Sequence, residues 1–180
     1  MVEITPPTTN DTQLTLRPIS QPDAALLWQA CWPHLSLLEV ETRVARWLGS
    51  HAKGLAWGLV AEVAEQVVGV GLLVRHTRGA EICDLVVAEP WRNNGIGTAL
   101  ICALLEKARE CHINQVEIGG AESNPRAVAL YERLGFHRRR VVFLDLGSGP
   151  EPVIYLSRST IDNCPPHSTL PNRFSRRTYP

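Results

Sequence analysis

One short segment near the middle of the chain constrains the fold more than any other. Residues 92–97 read Arg-Asn-Asn-Gly-Ile-Gly, and they join an apolar run at 82–87 to a stretch whose apolar residues recur at helical spacing. A strand that ends in such a turn and continues into a helix exposes the N–H groups of the helix start. Those donors and the positive end of the helix dipole favour a phosphate. The sequence therefore predicts a strand–turn–helix unit that binds an anion.

The residue types in this turn narrow the kind of phosphate site. Gly95 and Gly97 let the backbone approach a ligand without a Cβ atom in the way, and Arg92 adds a positive charge. A Walker loop would need Gly-Lys-Ser/Thr, whereas Gly97 is followed directly by Thr98. A dinucleotide fingerprint would need a third glycine where Leu100 stands. Both motifs are set aside, and an ordinary turn that uses two glycines is the alternative left open.

Length and composition predict one globular domain. The chain has 180 residues, of which 44% are hydrophobic, and its formal net charge is zero. This length suffices to bury a core without metals or disulfides, and neutrality argues against a nucleic-acid-binding protein. No apolar stretch approaches membrane-spanning length, and Met1-Val2-Glu3 does not begin a signal peptide. We therefore expect a cytoplasmic protein with no nucleic-acid partner and no membrane partner.

Cysteine and histidine spacing predicts no metal site. His34 and His112 are isolated and lack the spacing of metal ligands. The cysteines never occur as Cys-x-x-Cys, so they are expected to be free thiols in a reducing compartment. The five cysteines are Cys31, Cys83, Cys102, Cys111 and Cys164.

Hydrophobic periodicity divides the central part of the chain into strands and helices. A Ser20–Asp23 capping box is expected to open the first helix, and Gly49 to end the second. The third helix follows the glycine turn, and the fourth begins with Asn124 as its N-cap and ends at Gly135. Apolar runs predict strands at 14–19, 57–63, 67–74, 81–87, 115–118, 139–146 and 152–156.

This order of elements predicts an α+β fold with a central mixed sheet. The strands at 57–63 and 67–74 are expected to form an antiparallel hairpin. We interpret residues 1–12 as an N-terminal arm, residues 13–158 as the folded domain and residues 159–180 as an irregular C-terminal tail.

Two motifs resemble the signatures of the GNAT superfamily of acetyl-CoA-dependent N-acetyltransferases. The pyrophosphate loop of that family, (Arg/Gln)-x-x-Gly-x-(Gly/Ala), is matched at 92–97, after a Leu-x-Val-x-x-Pro lead-in at 85–90. A later signature, Asn-x-x-Ala-x-x-Leu-Tyr-x-x-x-Gly-Phe, is matched at 124–136. The resemblance implies the GNAT fold, a twisted and mostly antiparallel mixed sheet flanked by helices, whose fourth and fifth strands splay apart.

The resemblance implies where acetyl-CoA would bind. Backbone groups of the fourth strand would pair with the pantetheine amides as if pantetheine were an added strand. The amides of residues 93–98 would hold the pyrophosphate, with Arg92 nearby, and Asn124 would contact the cofactor arm. The implied cofactor residues are Leu85, Val86, Val87, Arg92, Asn93, Asn94, Gly95, Ile96, Gly97, Thr98, Asn124 and Tyr131.

The resemblance also implies two catalytic residues. Acetyl transfer to an amine needs a neutral amine, a donor for the oxyanion and a proton for the departing thiolate. Tyr131 matches the general acid of the family, and a core-facing tyrosine is the alternative. Glu81 lies where some members place a base, and a solvated strand residue or a water-mediated reaction is the alternative.

Two neighbours of Glu81 on the same strand carry further expectations. Asp84 lies on the opposite face of a regular strand, so the two carboxylates are not expected to serve one site unless a bulge intervenes. A nucleophilic Cys83 would give a ping-pong reaction. We expect Cys83 to be a small core residue instead, because no histidine or cluster of positive charge adjoins it.

The function implied by the resemblance is direct transfer of an acetyl group to the primary amine of a small molecule in a ternary complex. A peptide N-terminal or lysine acetyltransferase, a non-catalytic acetyl-CoA-binding domain and a nucleotide-dependent phosphotransferase are the alternatives. Glu39 and Glu41 would attract a cationic amine, and the basic cluster 138–140 would attract an acidic peptide or the cofactor phosphates. A normal solvated helix face is the preferred reading of the acidic pair, and an exposed strand edge blunted by charge is the alternative for the basic cluster. A homodimer is left open.

Overall fold

The computed structural model describes residues 13–145, 147 and 149–161, together with the backbone of residues 176–178. The strands are β1 (Leu14–Pro18), β2 (Ala56–Val63), β3 (Gln66–His76), β4 (Gly79–Val87), β5 (Gln115–Ala121), β6 (His137–Asp145), β7 (Pro150–Ser159) and β8 (Arg176–Thr178). The helices are α1 (Asp23–Cys31), α2 (Leu37–His51), α3 (Ile96–Glu110) and α4 (Pro125–Arg133), and a 3-10 turn covers Glu89–Trp91.

The described strands form one mixed sheet in the order β6-β7-β5-β4-β3-β2-β1-β8. The β4–β5 and β1–β8 pairs are parallel, and the other neighbouring strands are antiparallel. The predicted β2–β3 hairpin and the α+β class with a mostly antiparallel sheet are confirmed. Among the described residues, no helix is long and apolar enough to cross a membrane.

Helices cover both faces of the sheet because neighbouring strand residues point to opposite sides. On β3, Leu73 packs in a core cluster with Leu104 of α3, whereas the adjacent Leu72 packs in a second cluster with Val40 of α2. The pairs α3–β4 and α4–β5 are in contact on one face, and α1–β3 and α2–β2 on the other. Because helices cover both faces, a ligand can reach the backbone of the sheet only at an unpaired strand edge.

The splay between β4 and β5 is confirmed, and it shapes the centre of the molecule. These strands pair only over Ala80–Ile82 and Val116–Ile118, although β4 continues to Val87. Along its remaining length β4 stays paired with β3, while β5 stays paired with β7. The two halves of the sheet therefore separate beyond Ile82.

Several predicted boundaries differ from the structure. Ser20 donates from its backbone N–H and its hydroxyl to Asp23 Oδ2, at 2.7 Å and 2.8 Å, but the N-cap of α1 is Pro22, so the capping box is half formed. The second helix runs past Gly49, because a single glycine weakens a helix without ending it. A complete capping box at Ser36 and Glu39 opens that helix.

The predicted terminal segments lie largely outside the described residues. Residues 1–12 are not described, so the N-terminal arm remains a prediction, as does the domain boundary itself. In the segment predicted as irregular, Arg176–Thr178 form β8 and pair in parallel with β1. For these three residues the expectation of irregular backbone is wrong.

The expectation of five free thiols is wrong at one position. Cys31, Cys83 and Cys111 are free, whereas Cys102 is disulfide-bonded. Cys164 lies outside the described residues, so the prediction for it cannot be compared with the structure. Cys102 is nevertheless buried in the core cluster that α3 contributes to.

Candidate active site

A cleft of about 850 Å³ opens where β4 and β5 diverge, between the start of α3 and the inner side of α4. Every residue of the predicted cofactor set except Asn94 lines this cleft. The structure thus brings two separate sequence motifs to one surface. The lining residues are Leu85, Val86, Val87, Trp91, Arg92, Asn93, Gly95, Ile96, Gly97, Thr98, Asn124, Arg126, Ala127, Ala129, Leu130, Tyr131 and Arg133.

The turn before α3 presents backbone donors to the cleft. Asn93 and Gly95 have φ angles of 64° and 80°, so the backbone turns through the left-handed region twice before the helix begins. Ala99 N–H donates to Gly95 O at 2.9 Å and closes the first helical turn. The amides from Gly95 to Thr98 precede that bond and have no partner within the helix. They form a positive concavity of the kind that binds anions.

Side chains of the same turn fix its shape. Asn94 Nδ2 donates to the carbonyls of Trp91 and Arg92, at 3.2 Å and 3.1 Å, so this side chain closes the loop instead of lining the cleft. Arg92 Nε donates to Val87 O at 3.1 Å and thereby ties the turn to the end of β4. The Arg92 guanidinium therefore lies at the junction between the strand and the anion-binding turn.

Tyr131 belongs both to the core and to the cleft. Its side chain is 6% exposed, its ring lies 6.4 Å from the Phe136 ring, and it packs against Gly120. Burial raises the pKa of the Tyr131 hydroxyl to about 12, so the group stays protonated across the physiological range. Tyr131 is thus a core residue that also lines the cleft, and its role as the general acid stays a prediction.

The start of α4 matches its predicted form. Asn124 is the N-cap, and its side chain accepts a hydrogen bond from Ala127 N–H at 3.3 Å. Sequence reasoning missed Arg126 and Arg133, which also line the cleft. Helical spacing could have predicted them, because Arg126 and Arg133 lie at i and i+7 on the same side of α4 as Leu130. The sequence prediction considered only the apolar residues of that side.

Glu81 does not line the cleft but lies in a polar cluster where β4 meets β5. Tyr155 is hydrogen-bonded to Glu81, and Arg140 lies 4.4 Å above the Tyr155 ring. The same arginine donates to both carboxylate oxygens of Glu117, the β5 residue opposite Glu81, at 2.7 Å and 2.8 Å. Burial raises the pKa of Glu81, and the hydrogen bond from Tyr155 opposes part of that rise.

β4 contains the bulge that the expectation about strand parity had left open. The register with β3 shifts between Val70 and Leu72, and Asp84 has a φ of 49°. Asp84 accepts a hydrogen bond from Arg43 of α2 at 2.7 Å, so it lies on the α2 side of the sheet, toward which Cys83 also points. Asp84 and Cys83 therefore share a face that a regular strand would have separated.

Cys83 is a poor candidate for a nucleophile. Burial, together with the charges of Asp84 and Glu81, raises the pKa of its thiol to about 12. The thiolate is the nucleophilic form, and it is scarce at neutral pH under these conditions. The geometry thus agrees with the expectation of a small core residue.

The charged groups proposed for acceptor recognition have structural partners. Glu39 accepts from the backbone N–H and the hydroxyl of Ser36, at 2.7 Å and 2.6 Å, within the capping box of α2. In the basic cluster, Arg138 pairs with Glu132 at 2.7 Å and Arg139 donates to Ser157 Oγ at 2.8 Å. These contacts account for Glu39, Arg138 and Arg139 as parts of the folded surface.

Comparison with known proteins places the chain in a family. The model of the acetyltransferase (GNAT) family matches residues 21–136, which is more than half of the 180 residues. The protein belongs to the GNAT acetyltransferase family. An uncharacterised N-acetyltransferase of Methanocaldococcus jannaschii is 40% identical over 63 residues, covering 35% of this chain and 28% of that protein. The matches span half or less of the length of the curated relatives.

Solved structures share the fold over most of the chain. A ribosomal L7/L12 alpha-N-protein acetyltransferase in complex with coenzyme A has a TM-score of 0.71 and 20% identity, covering 85% of this chain and 96% of that one. A spermidine N-acetyltransferase chimera from Vibrio cholerae has a TM-score of 0.70 and 21% identity, covering 83% and 97%. At these identities the likeness shows the fold alone.

Proposed function

We propose that this protein is an N-acetyltransferase that takes its acetyl group from acetyl-CoA and passes it directly to an amine. The observation that carries the proposal is the cleft, in which the open amides at the start of α3, the free edge of β4 and Tyr131 face one space. Membership of the GNAT family supports the same reaction class. A structural relative with this fold is a coenzyme A complex.

The cofactor would bind along β4 and end at the turn before α3. Beyond Ile82 the edge of β4 that faces β5 is released by the splay, so the N–H and C=O groups of residues 85–87 are available to the pantetheine amides. The amides of residues 93–98 would bind the diphosphate, with Arg92 at its side. The side chains of Asn124 and Tyr131 would contact the pantetheine arm from α4.

The chemistry requires the chain to supply an acid, a base and an oxyanion donor. Acetyl-CoA brings an activated thioester carbonyl. A free β4 amide beyond the bulge would donate to the developing oxyanion, and Tyr131 would give its proton to the departing thiolate. The raised pKa of Tyr131 means that the hydroxyl is protonated and can donate a hydrogen bond to the sulfur as the C–S bond breaks. Glu81, oriented by Tyr155, would accept the amine proton directly or through a water molecule.

We propose a small-molecule primary amine as the acceptor. Glu81 lies at the β4–β5 junction opposite Glu117, whose carboxylate is already paired with Arg140, so an ionised Glu81 is the group there that would attract a cationic amine. A fold relative acts on spermidine, which supports this choice. Another acts on a protein N-terminus, so a peptide acceptor is the second candidate.

An acceptor panel tests this proposal. Purified protein with acetyl-CoA is offered polyamines, amino acids, aminoglycosides, N-terminal peptides and lysine peptides, while free coenzyme A is followed with a thiol reagent. We expect amine-dependent thiol release with at least one small cationic amine. Thiol release with peptides alone would favour the second candidate, a peptide acceptor. Binding of acetyl-CoA without release in any well would favour a non-catalytic binding domain.

Thermal shift separates the remaining class, a nucleotide-dependent phosphotransferase. A ligand that binds only the folded state stabilises it by about 2.7 kcal/mol at a hundred times its Kd. We expect acetyl-CoA to raise the melting temperature and ATP with magnesium to leave it unchanged. A shift with ATP and none with acetyl-CoA would contradict the proposed function.

A further inference from the structure

The cleft is strongly cationic in a protein that is neutral overall. Three arginines line it, and none of the described lining residues is Asp or Glu. The formal net charge of the whole chain is zero. The positive charge is therefore concentrated where the ligand would lie. The cleft carries more positive charge than Arg92 of the anion-binding turn supplies. The surplus comes from Arg126 and Arg133 of α4.

These two arginines form a pair on one side of α4. They are seven residues apart, which is about two helical turns and about 10 Å along the axis. Both are exposed, and in the part of the chain that the structure describes neither takes part in an ion pair or side-chain hydrogen bond. Glu132, which lies beside Arg133, is already paired with Arg138 at 2.7 Å. Both guanidinium groups are thus available to a ligand.

Helix stability does not explain Arg126. It is the second residue of α4, where a cation is repelled by the positive end of the helix dipole. No acidic residue stands in the first turn of α4 to compensate for it. Arg133, in the last turn, interacts favourably with the dipole and needs no ligand on that ground. The position of Arg126 therefore points to an anion that approaches α4 from the cleft.

We propose that Arg126 and Arg133 form a second anion subsite, which binds the ribose 3′-phosphate of coenzyme A. This inference rests on the proposed function. Coenzyme A carries a phosphate monoester in addition to its diphosphate, and a monoester bears about 1.5 to 2 negative charges at neutral pH. The turn and Arg92 hold the diphosphate, and the arginines of α4 take the monoester through charge-assisted, fork-shaped hydrogen bonds. The subsite makes the protein selective for coenzyme A over its dephosphorylated form.

Calorimetric titration with coenzyme A and with dephospho-coenzyme A tests the subsite, because these ligands differ only in the 3′-phosphate. Hydrogen bonds to charged groups contribute about 1.5–3 kcal/mol, which corresponds to a preference of about ten- to hundredfold for coenzyme A. In the double variant Arg126→Gln/Arg133→Gln we expect the affinity for coenzyme A to fall to that for the dephosphorylated ligand. The affinity for dephospho-coenzyme A is expected to stay at the parent value. Arg46→Gln, at an exposed arginine of α2 outside the cleft, is the matched control and should keep the preference.

Each outcome decides the proposal. Equal affinity of the parent for both ligands, or an unchanged preference in the double variant, would overturn the subsite while leaving coenzyme A binding and the proposed function intact. An absence of heat with either ligand would overturn the subsite and the proposed function together. A melting curve recorded by circular dichroism verifies that both variants are folded at the titration temperature.

Discussion

The Tyr131 side chain is held in place by the core while it faces the cleft. Its ring packs against Phe136 and Gly120, so its position does not depend on a bound ligand. Burial raises the pKa of the hydroxyl, and the group therefore stays protonated across the physiological range. A change that removes only the hydroxyl leaves the packing intact.

For this reason Tyr131→Phe should separate catalysis from binding. We expect turnover to fall by about 10²-fold or more, because a placed general acid contributes on that scale. The affinity for acetyl-CoA should stay near the parent value, since the ring that lines the cleft is kept. Thiol release measures the first quantity and calorimetry the second. Unchanged turnover would show that another group protonates the thiolate.

A second residue-level prediction concerns Glu81 and Tyr155. Glu81 acts as a base only when ionised, so activity is lost as the pH falls through its pKa. Burial raises this pKa, and the Tyr155 hydrogen bond lowers it again. In Tyr155→Phe the opposing hydrogen bond is gone, and the pKa of Glu81 should rise further. The acidic limb of the kcat/KM profile should therefore move to higher pH.

The control for this profile is Glu81→Gln, which removes the titrating group. It should lower kcat/KM and abolish that acidic limb, whereas a purely structural role for Tyr155 would lower the profile without moving it. An acidic limb that is the same in parent and Tyr155→Phe would exclude Tyr155 as the residue that positions Glu81.

At the level of elements, one ion-pair network connects the start of α1 with strands β1 and β2 of the sheet. Arg17 of β1 contacts Asp23 of α1 and Glu62 of β2, at 2.7 Å and 2.6 Å. Asp23 is 2% exposed and also accepts from Ser20. Burial alone would raise the pKa of Asp23, but the hydrogen bonds from Arg17 and Ser20 outweigh it, and the net pKa is lowered. Asp23 therefore contributes stability in its ionised form.

This network predicts a pH-dependent effect of Asp23→Asn. A carboxyl group whose folded pKa is lowered contributes stability above its unfolded pKa of about 3.9, and this contribution is lost as the pH falls through the folded pKa. At neutral pH we expect a loss of about 1–3 kcal/mol in the free energy of unfolding by urea. The variant and the parent should begin to converge below about pH 4 and should coincide only below the lowered folded pKa of Asp23.

Glu110→Gln is the matched control for that measurement. Glu110 is also a carboxylate in an ion pair, at 2.6 Å from Lys107, but both side chains are exposed. Exposed pairs contribute about 0–1 kcal/mol, so this variant should unfold close to the parent at all pH values. Equal effects of Asp23→Asn and Glu110→Gln would contradict a structural role for the buried network.

At the scale of the whole molecule, the order of elements and the splay could be predicted because they depend on local pattern and on one family resemblance. The β2–β3 hairpin follows from alternation, and the start of α4 follows from Asn124 and Pro125. The end of α2 was misplaced because a single glycine such as Gly49 weakens a helix without ending it.

The part of the candidate site that is formed by the backbone of one short segment could be predicted from sequence. The parts formed by side chains from distant segments could not. The turn at 92–97 needs only its own residues, so sequence was enough to find it. The bulge at Asp84 is set by pairing with β3 and by Arg43 of α2, which are far away in the chain. The contact of Tyr155 with Glu81 joins β7 to β4 across β5, and no spacing rule anticipates it.

The central claim is that main-chain donors at the start of α3 bind the diphosphate of coenzyme A. Gly97 is the second residue of α3, and a Cβ atom there would meet only the side chains of Leu130 and Val87 at ordinary distances, 3.7 Å and 3.9 Å. Alanine is therefore tolerated, and glutamate, which suits a helix N-terminus, should also leave the fold intact. A glutamate would nevertheless place its charge beside the diphosphate.

Titration of coenzyme A by calorimetry into the parent, Gly97→Ala and Gly97→Glu tests this claim most directly. We expect binding by the parent, nearly equal binding by Gly97→Ala, and loss of about tenfold or more in affinity with Gly97→Glu, since like charges in a partly desolvated site repel strongly. No heat with the parent, or a Gly97→Glu titration that superimposes on that of Gly97→Ala, would contradict it.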